Sequence, residues 1–186
     1  MHKSSMLTME RFAKGYGRGS KKVIDLGSHD VNGCYKPLFA GKDYIGVDLV
    51  PGNNVDVVLK DPYNWEEFED ESIDAVISGQ AFEHLEFFWQ VMVEINRVLR
   101  KGHYCCIIAP SVGGKHAGID CYRFYDDGLR AAAKWVNFDV IECYTDSAGA
   151  WQDTVLIARK PLKTPFLTGK KSIKVKPKRV VDVDKS

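Results

Sequence analysis

Three carboxylates close three short apolar runs. Asp25 lies in Val23-Ile24-Asp25-Leu26-Gly27, Asp48 ends Tyr44-Ile45-Gly46-Val47-Asp48, and Asp61 follows Val55–Leu59. Runs of this length, rich in branched apolar residues, read as buried strands. A carboxylate at a strand end accepts hydrogen bonds and attracts cations. Gly27 lets backbone approach a ligand closely, and Gly33 suits the opening of a following helix. Dinucleotide sites usually have glycine where Asp25 stands and present helix amides to a pyrophosphate. An acid there repels phosphate and favours a cationic ligand. Asp48 comes 21 positions after Gly27, where a carboxylate takes both ribose hydroxyls. Asp61 is placed to accept from an adenine amine. Each acid alone reads as an ordinary turn residue; three on successive strands read as a site.

Two further groups carry chemistry. His84 follows the fourth apolar run, and a histidine there reads as a general base or as a local helix-start contact. The stretch Asp120-Cys121-Tyr122-Arg123-Phe124-Tyr125 follows the Gly113-Gly114 loop. Tyr122 and Arg123 are candidate acceptor contacts, with Arg123 also able to pair with an internal carboxylate. The five cysteines (34, 105, 106, 121 and 143) form no CxxC pair, which suits free thiols in a reducing compartment. Cys105 and Cys106 sit in an apolar run and read as core. His103, Cys105, His116 and Cys121 match no zinc spacing, so no metal site is expected.

These residues need a frame, and the apolar pattern supplies one. Residues 6–14 read as a short helix, and Tyr35–Ala40 as a turn of helix limited by Pro37. Strands are expected at Val23–Leu26, Tyr44–Leu49, Val55–Leu59, Ile73–Ser78 and Tyr104–Ala109. Phe82, Leu85, Phe88, Met92, Ile95 and Leu99 recur at three and four residues, so a long helix is expected over Ala81–Arg100, stopped by Gly102. A helix over Asp127–Trp135 follows. Phe138–Tyr144 and Thr154–Ala158 are too close for a crossover and must run antiparallel. Alternating elements of this kind imply an α/β fold, a mostly parallel Rossmann-like sheet with helices on both faces. Ligands then bind beyond the carboxyl ends of the central strands.

With 186 residues, 45% apolar and 27% charged, the chain suits one domain with a full core. It has no apolar run near the roughly 20 residues of a membrane span and no signal-peptide pattern, so a cytoplasmic location is expected. Charge is uneven. Residues 160–186 carry nine Lys/Arg and two Asp/Glu, a balance of +7, which leaves −6 on the other 159 residues. A domain over 1–160 and a basic tail over 161–186 follow, the tail suiting self-association, an anionic partner or plain solvation.

Taken together, Val-Ile-Asp-Leu-Gly-Ser (23–28), Tyr-Ile-Gly-Val-Asp (44–48), Asp-Glu-Ser-Ile-Asp-Ala-Val-Ile-Ser (70–78), Phe-Glu-His-Leu (82–85) and Glu-Ile-Asn-Arg-Val-Leu-Arg-Lys-Gly (94–102) resemble the class I S-adenosylmethionine-dependent methyltransferases. The likeness runs from about Lys21 to Lys160. It implies a seven-stranded sheet with one antiparallel strand, and S-adenosylmethionine as cofactor. It further implies Asp25 and Gly27 near methionine, Asp48 on ribose, Asp61 near adenine and the Gly79-Gln80-Ala81 turn on the methionine side, with Ser28, His29 and Leu49 also among the cofactor contacts. His29 and Val31 stand where that family commonly has glycines, and Pro62 removes an N–H usually offered to adenine. The fourth strand ends in Ser78-Gly79-Gln80, unlike enzymes that methylate nucleic-acid amines, and no nucleic-acid signature is present. The expected acceptor is a small molecule or glycan, methylated on oxygen. A non-catalytic binding module of the same fold stays open; a nicotinamide oxidoreductase is disfavoured by Asp25 and the missing GxGxxG.

Overall fold

The structure is a computed structural model that describes residues 3–116 and 118–163. The basic tail beyond Lys163 lies outside the described residues.

Seven strands form one sheet: β1 (Lys22–Leu26), β2 (Asp43–Asp48), β3 (Val57–Val58), β4 (Ile73–Gly79), β5 (Leu99–Pro110), β6 (Asp139–Thr145) and β7 (Asp153–Arg159). Their order is β3-β2-β1-β4-β5-β7-β6. Pairing is parallel from β3 to β5, and β7 runs antiparallel to both neighbours. The order reverses between β1 and β4, the switch point where open α/β sheets leave a crevice. Leu26, Asp48 and Gly79 all finish their strands on that edge.

Alternate residues of the central strands face opposite layers. Ser5, Thr8, Met9, Phe12 and Ala13 form the buried stripe of α1 (Lys3–Lys14). Met9, Phe12 and Ala13 pack with Tyr35 and Phe39 onto Val23, Ala75, Ile77, Cys106, Ile108 and Ile157. The other face holds Ile24, Val76, Cys105, Ile107 and Leu156 under α2 (Phe88–Val98) and α3 (Asp126–Trp135). With both faces covered, β4 and β7 are buried almost end to end, β4 as a strand in a parallel core requires. All five cysteines are free thiols, with Cys105 and Cys106 in the core. No described helix is long and apolar enough to cross a membrane.

The structure corrects the expected long helix over Ala81–Arg100. Phe82–His84 form a single 3-10 turn, Leu85 is extended, and α2 spans only Phe88–Val98. The periodicity survives the break because Phe82 and Leu85 are buried in the same layer. At the other end Leu99 takes a strand conformation and pairs with Ile73. Gly102, with φ of 80°, lies inside β5 and does not cap the helix. The third strand shrinks to two residues, and no helix joins β3 to β4. Arg97 holds that connection instead. It donates to the carbonyls of Trp65 and Phe68 and to Asp70 and Glu94, while Glu94 accepts from the Trp65 amide.

Candidate functional site

Gly27 follows β1 with φ of 78°, a conformation that L side chains avoid. A Cβ there would also lie 2.5 Å from that of Ala81. Backbone is therefore bare at the switch point, and two clefts open on either side of it. One, of about 460 Å³, is lined by Asp25, Ser28, His29, Tyr35, Gly79, Gln80, His116 and Trp151 among others. The second, of about 260 Å³, is lined by Leu26, Asp48, Leu49, Leu59, Pro62, Ala81, His84 and Leu85. Gly27, His29 and Gln80 border both, so the clefts form one groove.

Asp25 is buried and accepts a hydrogen bond from the Tyr44 hydroxyl. Burial pushes its carboxyl up to about 7; the Tyr44 bond works against this and the nearby Asp48 charge adds to it. The Tyr44 oxygen also accepts from Asn54 Nδ2, which donates again to the Ser28 carbonyl. Ser28 donates back to the Asn54 carbonyl. Tyr44 and Asn54 were not foreseen as site residues. The available signal was register: Asp25 pairs with Gly46, so only a neighbour two residues along β2 can reach it across the same face.

Asp48 is half-buried at the tip of β2. Its Oδ1 accepts from the Leu49 and Val50 amides and its Oδ2 from the His29 amide. These bonds fold the first and second loops around one carboxylate and leave lone pairs toward the groove. Leu49 lines the wall beside it. Gly79 is obligatory, since a Cβ would meet the Tyr35 hydroxyl at 2.1 Å. Gln80 adopts φ of 60°. Its amide donates to the Ile108 carbonyl and its side chain to Asp153. Asp61 is not among the residues lining either cleft. It is exposed, its Oδ1 accepts from the Tyr63 amide, and Pro62 takes its place on the wall.

His84 lies on the 3-10 turn and lines the second cleft. Its Nδ1 is bonded to the Ile119 carbonyl. That requires Nδ1–H, so Nε2 keeps its lone pair. Nε2 stands 3.7 Å from Oε1 of Glu83, a buried carboxylate that burial pushes up to about 7. The Glu83 carbonyl accepts from the amides of Cys121 and Tyr122, which straps the 113–123 loop to the turn.

Tyr122 and Arg123 belong to that strap, and Arg123 makes the internal carboxylate pair that is one of its two readings. The Tyr122 hydroxyl donates to the Glu86 carbonyl, and its ring packs edge-on against Phe88. Arg123 has five N–H donors. They go to the carbonyls of Gly113, Gly114 and Tyr122 and to both oxygens of Asp120. The guanidinium holds the Asp120 carboxyl well below the usual carboxylate range. No donor of Arg123 is left for an acceptor.

Residues 24–107 match a family model described as a methyltransferase domain. Among solved structures, the chain is similar to a 1,6-didemethyltoxoflavin N1-methyltransferase from Burkholderia thailandensis, with TM-score 0.69 and 18% identity over 85% of this chain and 79% of that one. It is similar to a methyltransferase from Archaeoglobus fulgidus, with TM-score 0.60 and 15% identity over 84% and 95%. The chain has the fold of the class I S-adenosylmethionine-dependent methyltransferases. Phosphoethanolamine N-methyltransferase 2 of Haemonchus contortus is also similar, with TM-score 0.64 and 17% identity over 85% of this chain. This chain spans 52% of that methyltransferase's length. No curated protein matches by sequence.

Proposed function

We propose that this methyltransferase binds S-adenosylmethionine along the joined clefts and methylates an oxygen of a small polar acceptor, a sugar or related metabolite, entering beside His84. The observation that carries the reading is the pairing of two carboxylates, Asp25 and Asp48, with the bare backbone of Gly27 in one groove at the switch point. A phosphate-bearing dinucleotide would meet acid there; a sulfonium and an ammonium meet opposite charge. When bound, the cofactor supplies a methyl group already activated on a sulfonium, so alignment provides much of the rate.

The residues then divide the work. Asp48 accepts the ribose hydroxyls, with Leu49 along the sugar. Leu59, Pro62 and Leu85 offer apolar walls for adenine, with Asp61 at the rim. Asp25, Ser28, His29, Gly79 and Gln80 surround the methionine portion. His84 Nε2 takes the proton from the acceptor hydroxyl as the oxygen attacks. A third hollow, of about 470 Å³ between Lys3, Ser4, Leu7 and Thr8 and the 146–153 loop, meets the first cleft at Trp151 and gives the acceptor room. Methyl-labelled cofactor incubated with sugars and small-metabolite pools tests the reading. Label transferred to a hydroxylated small molecule supports it. Cofactor bound without transfer to any pool favours the non-catalytic module.

Asp25 makes binding depend on pH. A cationic ligand needs the carboxylate, and its carboxyl stands near 7. Affinity for S-adenosylmethionine is expected to rise by up to about tenfold between pH 6 and pH 8, with proton release at pH 6. In the ligand-free fold the sign is opposite. The raised carboxyl contributes stability that is complete below its unfolded value and is lost as pH rises through 7. Asp25→Asn should therefore remove the pH dependence of binding and firm the free protein at pH 8. Calorimetric titrations in two buffers of different ionisation heat check this. A pH-independent wild-type affinity contradicts it.

A further inference from the structure

We propose that Glu83, His84 and His116 bind one divalent transition-metal ion, of the zinc and cobalt class, on the edge of the groove. The sequence offered no sign of this, because Glu83-His84 and His116 are far apart and match no ligand spacing. The fold brings them together: one donor atom from each lies within 4.8 Å of the other two. Donors about 2.0–2.2 Å from an ion need this cluster to close by only about an ångström.

Three observations point to a ligand here. Both oxygens of Glu83 are buried and accept no hydrogen bond among the described residues, and its side chain is fully enclosed. A bare buried carboxylate is costly unless a cation or donor meets it. His84 has its Nδ1 occupied by the Ile119 carbonyl, and the Nδ1 of His116 lies 3.1 Å from Asp120 Oδ2 and 3.4 Å from Nη2 of Arg123. That leaves Nε2 as the free donor on both rings. A carbonyl or carboxylate beside the other ring nitrogen, as Ile119 and Asp120 provide here, orients metal-binding imidazoles. The charges also suit a dication. Asp120 is neutralised by Arg123, so ionised Glu83 leaves the cluster one negative charge. Two imidazoles and one carboxylate favour zinc, cobalt or iron(II) over magnesium or calcium. Three protein ligands leave a position open, and both histidines border the groove.

The role of the ion, unlike its binding, rests on the methyl-transfer reading. An acceptor hydroxyl held at the open position loses its proton to solvent more readily. Its oxygen then bonds to the methyl carbon as the carbon–sulfur bond breaks, and that electron pair returns to sulfur. In the loaded protein the ion, held by His84 Nε2, replaces that nitrogen as the activating group.

The test uses the full chain without S-adenosylmethionine, stripped with chelator and titrated with cobalt(II) chloride. The expected result is saturable binding of one ion per chain, with visible d–d bands. Glu83→Gln and His116→Ala should each weaken it by at least about tenfold, and Cys121→Ser should leave it unchanged. No saturable binding to the wild-type chain overturns the proposal whatever the variants do. Equal affinity in both variants, or thiolate-to-cobalt charge transfer, also overturns it. Thermal melts accompany each variant, and His116→Ala, at a half-buried position on the rim, decides if Glu83→Gln does not fold. Cofactor affinity measured on the same samples separates the two readings: lost ion binding with intact cofactor binding removes only the ion.

Discussion

His84→Ala should lower methyl transfer by about 10²–10⁴-fold, the range of a lost general base, with much smaller changes in S-adenosylmethionine affinity. The ring contributes at Nε2, which faces Glu83 and the groove, while Nδ1 is committed to the Ile119 carbonyl. Alanine removes the proton acceptor and, in the metal-loaded protein, one ligand. It also removes one tie to the 113–123 loop, so a melt must accompany the kinetics. The Glu83 carbonyl keeps its bonds to Cys121 and Tyr122 in the variant, so the fold should hold. A fall in kcat with a steady KM is the expected split. Unchanged turnover would reduce His84 to a packing residue.

Asp48→Ala should weaken S-adenosylmethionine by about 1.5–3 kcal/mol, roughly 10–150-fold, the scale of hydrogen bonds to a charged group. The side chain also gathers the amides of His29, Leu49 and Val50, so part of the loss comes from a loosened loop. Asp48→Asn separates the contributions, because it keeps the shape and one carbonyl oxygen but not the charge. Calorimetry that finds wild-type affinity in Asp48→Ala would remove Asp48 from the ribose.

Much of the sheet was legible because its strands are short, apolar and bounded by turn residues. Ile73–Ser78 and Thr154–Ala158 emerge nearly as read, and the terminal pair is antiparallel for the reason its spacing implied. Val55–Leu59 was over-read: its apolar residues pack, but only Val57 and Val58 pair with β2. The 81–87 stretch was misread because Phe82 and Leu85 keep a helical spacing while a 3-10 turn and an extended residue bury them.

Within the site, residues set by strand ends were readable, while residues set by loop packing were not. Asp25, Gly27 and Asp48 follow from where strands stop. Asp61 ends its run too, yet it turns to the Tyr63 amide and leaves the wall to Pro62. Arg123 reads either as an acceptor contact or as the partner of an internal carboxylate, and its donors close the 113–123 loop, going to Asp120 and to the carbonyls of Gly113, Gly114 and Tyr122. The meeting of Glu83 and His84 with His116 depends on that same closure. No local pattern announces it.

Cofactor choice is tested most directly by a calorimetric titration of the wild-type chain at pH 8 with S-adenosylmethionine, S-adenosylhomocysteine and NAD in turn. One saturable site for each of the first two, with no measurable heat from NAD, is the predicted result. Binding of NAD in preference to S-adenosylmethionine, or no binding of S-adenosylmethionine by a chain that melts cooperatively, would contradict it.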